Sequence, residues 1–391
     1  MFPGYTQEYI EPSTAQDQRY SFIAEWYDPQ AALIRRYQFL FYPKDNSIEM
    51  YDIKNRRKFL SRTKSDTVKL EDMYIGSKIH VYSRQLTFVD FGDNFTESKV
   101  GTKNERTLAI IKPDAVNKVG VILNLLKAND IQPCRAKMVK LVRKNALDLY
   151  EEHRSQPHFN TLLDYMTSGP VIAMELMGSN VVNQWRRLLG PVDSGKAKES
   201  EPGSIRAKFG TDGVTNAAHG SENQNTAQKE LDFFFPPNRN PKFEGTARLR
   251  DCTCCVIKPH AIRSGIEGDI IEVIQNAGFQ ITALQMFNVE TANGEEFYEI
   301  YKGVVNEYQS MVTELCSGPC IALEITGQGE ETASKFRELC GPADPEIARH
   351  LRPKTIRAMF GKDKIQNAVH CTDLPEDGIL EVEYFFRILN S

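Results

Sequence analysis

The chain has 391 residues, too many for one ordinary hydrophobic core, so two to four domains are expected, most simply three. Charged residues make up 26% and the formal net charge is −4, which argues against pervasive disorder and against a basic nucleic-acid footprint. The bulk numbers are those of an ordinary cytoplasmic protein.

Met1 to Asp17 is polar, with Pro3, Gly4 and Pro12, and reads as a flexible tail and not a signal peptide. No run is long and apolar enough to span a bilayer, so no membrane partner is expected. From Ser21 to about Asp93, runs rich in aromatic and β-branched residues alternate with turn signals such as Pro43-Lys-Asp-Asn46. Strands are predicted at Phe22 to Tyr27, Arg36 to Tyr42, Ser47 to Ile53, Lys78 to Tyr82 and Leu86 to Phe91, making a small antiparallel β domain over residues 18–105.

The remainder is one unit written twice. Leu108-Ala-Ile-Ile-Lys-Pro-Asp-Ala115 realigns with Cys254-Cys-Val-Ile-Lys-Pro-His-Ala261, and Lys112 maps to Lys258. Ser168-Gly-Pro matches Ser317-Gly-Pro, Ser204-Ile-Arg-Ala-Lys-Phe-Gly210 matches Thr355-Ile-Arg-Ala-Met-Phe-Gly361, and Asn216-Ala-Ala-His219 matches Asn367-Ala-Val-His370. Copy A occupies 106–236 and copy B 250–391, with the Pro- and Asn-rich segment 237–249 as a linker. In each, strand runs (Thr107 to Ile111, Val171 to Leu176) alternate with helical patterns (Gly120 to Ala128, Asn183 to Leu189), which predicts an α/β sandwich.

Seven of the eight cysteines fall in the last third: Cys252, Cys254, Cys255, Cys316, Cys320, Cys340 and Cys371. Free thiols are expected. Cys252 to Cys255 opens an apolar strand, where cysteine behaves as a small buried hydrophobe; no second ligand pair follows at zinc spacing.

Each copy carries a strand-end lysine (Lys112, Lys258), two arginines (Arg186 and Arg206, Arg337 and Arg357), an Asn-x-x-His pair (Asn216 and His219, Asn367 and His370) and a downstream glutamate (Glu230, Glu381). Three cations without an acidic cluster suit a polyphosphate, and a histidine can be the nucleophile of phosphoryl transfer. No protein metal site is expected.

The strand-end Lys-Pro, Ser-Gly-Pro, Ile-Arg-x-x-Phe-Gly and Asn-x-x-His elements, recurring in order, with the Gly-Ser that follows His219, resemble the nucleoside diphosphate kinase family over nearly all of both copies. The resemblance implies two ferredoxin-like α/β sandwich domains and transfer of a γ-phosphate from ATP, with Mg²⁺, to nucleoside diphosphates through His219. It also implies that Glu230 and Ser221 hold that ring, that Lys112 and Tyr150 contact the transferred phosphate, that Arg186 and Arg206 clamp the β-phosphate, and that Asn216 meets the ribose. His158 stands where the family stacks the base on phenylalanine, and Val192 and Ala343 replace a threonine beside the second phosphate. In copy B, Cys371 and Thr372 replace Gly-Ser after His370, His260 replaces the aspartate after Lys-Pro, and Tyr298 aligns with Tyr150 only across a gap. Loss of that glycine is expected to obstruct a nucleotide, leaving copy B weak or inactive.

Glu25-Trp-Tyr-Asp28, Leu40-Phe-Tyr-Pro-Lys-Asp-Asn46, Tyr74-Ile-Gly76 and Val81-Tyr-Ser-Arg84 resemble the DM-ten domain, a small all-β, pleckstrin-homology-like module of ciliary and flagellar proteins. With tandem kinase domains behind it, the chain resembles the ciliary branch of that kinase family. The resemblance implies location in the cytoskeleton, at the axoneme of a cilium or flagellum and at the centrosome. Implied partners are axonemal doublet microtubule proteins, tubulin and the γ-tubulin ring complex. An enzyme and a microtubule-bound structural component are compatible readings, and the two copies are expected to form an intrachain pseudo-dimer.

Overall fold

A computed structural model describes residues 18–65, 68–82, 84–101, 105–155, 157–236 and 243–389. The expected tail at 1–17 and part of the expected linker, 237–242, lie outside them. The chain divides into two compact units, Met1–Thr102 and Lys103–Ser391.

The first unit is a curled antiparallel sheet of β1 (Tyr20–Asp28), β2 (Leu33–Tyr42), β3 (Ser47–Asp52), β4 (Arg57–Lys64), β5 (Lys78–Val81) and β6 (Arg84–Phe91), in the order β4-β3-β2-β1-β6-β5. Alternation puts Phe22, Phe39, Phe41, Leu86 and Phe88 into one core, as the aromatic runs predict. Two elements were not predicted. β4 is an edge strand exposed along most of its length, so it lacks the apolar alternation that marks a half-buried strand. The helix Asn94–Val100 is short and begins at Asp93, whose side chain accepts from the Thr96 amide.

The second unit holds both copies. Copy A contributes β7 (Glu105–Ile111), β8 (Gln132–Lys140), β9 (Pro170–Gly178) and β10 (Ala218–Gly220) in the order β10-β7-β9-β8. After the short β11 (Glu244–Gly245), copy B repeats the order with β12 (Thr253–Ile257), β13 (Gln280–Asn288), β14 (Pro319–Thr326) and β15 (Val369–Cys371). Each is a ferredoxin-like α/β sandwich. Period-two alternation sends Ala109 and Ile111 to one face of β7 and Leu108 and Ile110 to the other, both faces being covered.

The copies form one body, joined as the expected pseudo-dimer. β8 and β13 meet edge to edge, with Gln285 opposite Lys137, so a single sheet runs through both copies. Beneath it the helices Val119–Ala128 and Glu267–Asn276 bring Ile122 and Leu126 into the same core as Ile270 and Ile274. They approach at Gly120 and Gly268, where a Cβ on Gly120 would stand 2.9 Å from the Gly268 carbonyl oxygen. Asn124 donates at 2.8 Å to both Asp269 and Glu272, fixing the register across the contact. The end of the linker is also held. β11 pairs with β8, and the Arg248 and Leu249 amides donate to the buried carboxylate of Glu324.

Candidate active site

The candidate phosphate-site residues of copy A gather at the end of β7 and β10. β10 sets His219 opposite Ile110, and the helix Gln224–Phe234 carries Glu230 back over it. Glu230 Oε1 lies 2.9 Å from His219 Nε2. Its other oxygen accepts from Ser221 Oγ at 2.5 Å, and the Ser221 hydroxyl is in turn fixed by the Leu108 amide. A carboxylate on Nε2 selects the neutral tautomer protonated there, which leaves the lone pair on Nδ1. The Trp185 indole donates to the His219 carbonyl at 3.1 Å, so the strand cannot rotate the ring away.

Lys112 ends β7 with its ammonium buried, donating to Asn216 Oδ1 at 2.6 Å and to the Val214 carbonyl. Asn216 is oriented by donating to the Val192 and Gly213 carbonyls. Arg206, on the helix Ile205–Phe209, donates to the Gly190 and Ala218 carbonyls. Its Nε is buried with no acceptor among the described residues, an orphaned donor that a phosphate oxygen would satisfy. Burial and the neighbouring Arg186 push the Arg206 guanidinium down to about 10. Tyr150 is buried with its ring 6.1 Å from His219 and perpendicular to it. Arg186 and His158 are exposed at the ends of their helices. Lysine, two arginines and histidine suit a nucleoside polyphosphate. No cluster among the described residues would hold a metal on its own, so Mg²⁺ would come with the phosphates and supply charge neutralisation.

Burial, with Arg206 nearby, pushes the Lys112 ammonium down to about 8 from its usual 10.5. Phosphate needs the charged form, so nucleotide affinity is expected to fall as pH rises through about 8, by up to about tenfold per unit. Fold stability moves the other way, because between these values the unfolded chain binds more protons than the native one. ADP titration calorimetry at pH 7, 8 and 9 checks the first sign; a flat profile refutes it. In copy B, burial and Arg357 push Lys258 down further, to about 7.

Copy B reproduces the frame. Glu381 holds His370 Nε2 at 3.0 Å with Thr372 in the place of Ser221, and Lys258 donates to Asn367 Oδ1 at 2.7 Å. Tyr298 follows the helix Thr291–Phe297 as Tyr150 follows Arg143–Leu149, so the alignment gap leaves the tyrosine in place, 5.8 Å from His370. His260 is compensated too. In copy A the Asp114 carboxylate accepts from the Ala217 amide, at a strained φ of 68°, and from Tyr165. In copy B His260 Nε2 likewise accepts from the Ala368 amide, and only at the second contact are the roles exchanged, Nδ1 facing the Glu314 carboxylate where Asp114 accepts from a tyrosine.

The expected obstruction by Cys371 is not what the structure shows. A Cβ on Gly220 would stand 2.6 Å from Trp185 and 2.9 Å from Leu189, under the strand and away from the nucleotide side. Copy B has Phe336 and Cys340 at those two places, and Cys371 is buried among them. Gly220→Cys in copy A is therefore expected to cost about 1–3 kcal/mol by overpacking, largely recovered when Trp185→Phe and Leu189→Cys are added. Urea unfolding of the three variants measures this. No recovery would show that the swap does not compensate.

What closes copy B lies elsewhere. Arg337, the counterpart of Arg186, is engaged by the Asp373 carboxylate, itself fixed by the Tyr301 hydroxyl at 2.6 Å. Phe297, where copy A has Leu149, sets its ring 5.0 Å from His370. The His370 side chain is 6% exposed, against 17% for His219.

A family model described as nucleoside diphosphate kinase matches residues 105–240 and again 251–390. The chain belongs to the nucleoside diphosphate kinase family. Residues 14–102 match the N-terminal PH domain of nucleoside diphosphate kinase 7. Among relatives, nucleoside diphosphate kinase homolog 7 of Mus musculus is 55% identical over 383 residues, 98% of this chain and 96% of that protein. The nucleoside diphosphate kinase of Nitratiruptor is 47% identical over 133 residues, 34% of this chain and 95% of that one. A crystal form of the Aquifex aeolicus nucleoside diphosphate kinase is 41% identical, covering 34% of this chain and 94% of its own, at TM-score 0.33. This family member is thus two tandem kinase domains behind a PH-like domain.

Proposed function

We propose that copy A is a nucleotide site whose His219 accepts the γ-phosphate of ATP and passes it to a nucleoside diphosphate, and that copy B is its structural partner. The observation that carries this reading is the Ser221–Glu230–His219 chain, which occupies Nε2 on a side chain 17% exposed while copy B's counterpart is 6% exposed. Lys112 and Arg206 neutralise phosphate oxygens, Arg186 reaches in from the rim, and Asn216 and His158 meet ribose and base. The imidazole attacks phosphorus along the line of the leaving oxygen, and the protein's part is positioning and charge.

The test incubates the full-length chain with γ-labelled ATP and Mg²⁺. Acid-labile, base-stable label that is discharged by added GDP supports transfer. Absence of label leaves only a scaffold.

The same chain serves, on this proposal, as a microtubule-associated component of axonemal doublets and of centrosomal nucleation sites, meeting tubulin, doublet proteins and the γ-tubulin ring complex. Three linked domains give such a component several contacts whose affinities multiply through effective concentration. The PH-like module and a second copy whose phosphate arginine is taken by Asp373 favour this over a purely metabolic role. Imaging the tagged protein in ciliated cells tests it; a diffuse signal absent from axonemes and centrosomes sinks it.

A further inference from the structure

Behind the shielded histidine of copy B lies a thiol cluster that phosphoryl transfer does not use. Cys255 on β12 is the cross-strand partner of Cys371 on β15, and Cys340 ends the helix Thr332–Cys340 beneath them. All three belong to one core cluster, whereas Cys252 and Cys254 face the other side of the sheet. Copy A has Ala109, Leu189 and Gly220 at the matching places, so the cluster is peculiar to copy B. The Cys340 and Cys371 side chains are neighbours in that cluster, and Arg357 donates through Nη2 to Cys371 Sγ at 3.6 Å.

We propose that Cys371 and Cys340 form a hydroperoxide-sensitive dithiol, with Cys371 as the attacking thiolate and Cys340 as the resolving thiol. The matching glycine and leucine of copy A show why the pair is close enough. A Cβ at the glycine falls 2.9 Å from a leucine δ-carbon, and in copy B a short cysteine replaces that leucine. That distance runs from a Cβ to a δ-carbon, so it puts the two side chains in contact and leaves the Cβ separation of a disulfide to be reached by side-chain rotation and backbone adjustment. The partners also divide the roles. The Cys340 hydrogen bond and then the Arg357 cation hold Cys371 well below the usual thiol value against burial, while burial pushes Cys340 and Cys255 up. Only Cys371 therefore has thiolate character.

The chemistry balances with hydrogen peroxide as oxidant. The Cys371 thiolate attacks one peroxide oxygen, the O–O bond breaks, and hydroxide leaves to be protonated to water, giving Cys371 sulfenic acid. Cys340 sulfur then attacks the Cys371 sulfur, the S–O bond breaks, and the departing hydroxide takes the Cys340 proton as a second water. The two sulfurs have supplied the two electrons. Peroxide is close to water in size and reaches the buried pair through local openings of the fold. The disulfide sulfur is a poorer acceptor than a thiolate, so Arg357 keeps only its bonds to the Gly341 and Val369 carbonyls.

The full-length chain is treated with hydrogen peroxide, alkylated and mapped by mass spectrometry. Expected is a peptide pair linking Cys340 to Cys371, with two free thiols lost and both recovered on reduction. Cys340→Ser should leave Cys371 as a sulfenic acid trapped by dimedone, and Cys255→Ser should keep the link. Full alkylation of Cys371 after peroxide, or a link from Cys371 to Cys255 instead, overturns the proposal. Mapping of the unaltered chain decides the matter even where a variant fails to fold.

Discussion

Replacing His219 by alanine is expected to remove acid-labile phosphorylation altogether, and with it at least about a thousandfold of any transferase rate, since on the proposed reading His219 is the nucleophile and copy B's histidine is shielded. His370→Ala should change labelling by less than about twofold. The asymmetry follows from exposure and from Arg337, which in copy B is paired with Asp373 and not open to phosphate. Autoradiography of the two variants beside the unaltered chain, with circular dichroism to confirm folding, is the measurement. Label that survives His219→Ala and vanishes with His370→Ala would reverse the roles given to the copies.

The largest stability effect is expected at the helix crossing that joins the copies. Gly120→Leu must place its Cβ 2.8 Å from Glu272 Cγ and 2.9 Å from the Gly268 carbonyl oxygen, and backbone cannot move aside as a side-chain tip can. Overpacking of this kind costs about 3 kcal/mol. For a unit of this size that lowers Tm by roughly 6–12 °C. The clash pushes apart the helices that carry Ile122, Leu126, Ile270 and Ile274, so the copies should also come apart more readily to limited proteolysis. Gly203→Ala, where an added Cβ meets nothing within 4 Å, is the control and should shift Tm by no more than about 2 °C. Calorimetry of the two variants compares them directly; equal Tm values would mean the crossing is plastic.

The copies, their α/β class and the residue types of the candidate site were legible because strands and phosphate chemistry impose local patterns, while the ferredoxin-like topology followed from the family resemblance. β7 reads as apolar on both faces, a histidine and asparagine three apart fall at one turn and strand, and four aligned elements recur in order. The N-terminal strands with a buried face were legible for the same reason. β4 was not, because an exposed edge strand of Arg57, Lys58, Arg62 and Lys64 carries no burial signal.

Departures from the family pattern were visible as single letters, yet their consequences were set by neighbours distant in the chain. His260 reads as a lost aspartate until Glu314, 54 residues on, is found beside it. Cys371 reads as a blocked glycine until Phe336 and Cys340 are seen to make its room. Asp373 carries no motif in the sequence, and the fold puts it on Arg337. The sequence by itself determined that the family's lysine, arginines, asparagine and histidine occur twice, because each set is built from short motifs whose spacing survives alone. Only the tertiary structure decided that one is open and the other shielded, because shielding depends on volumes and charges from separate segments meeting in one place.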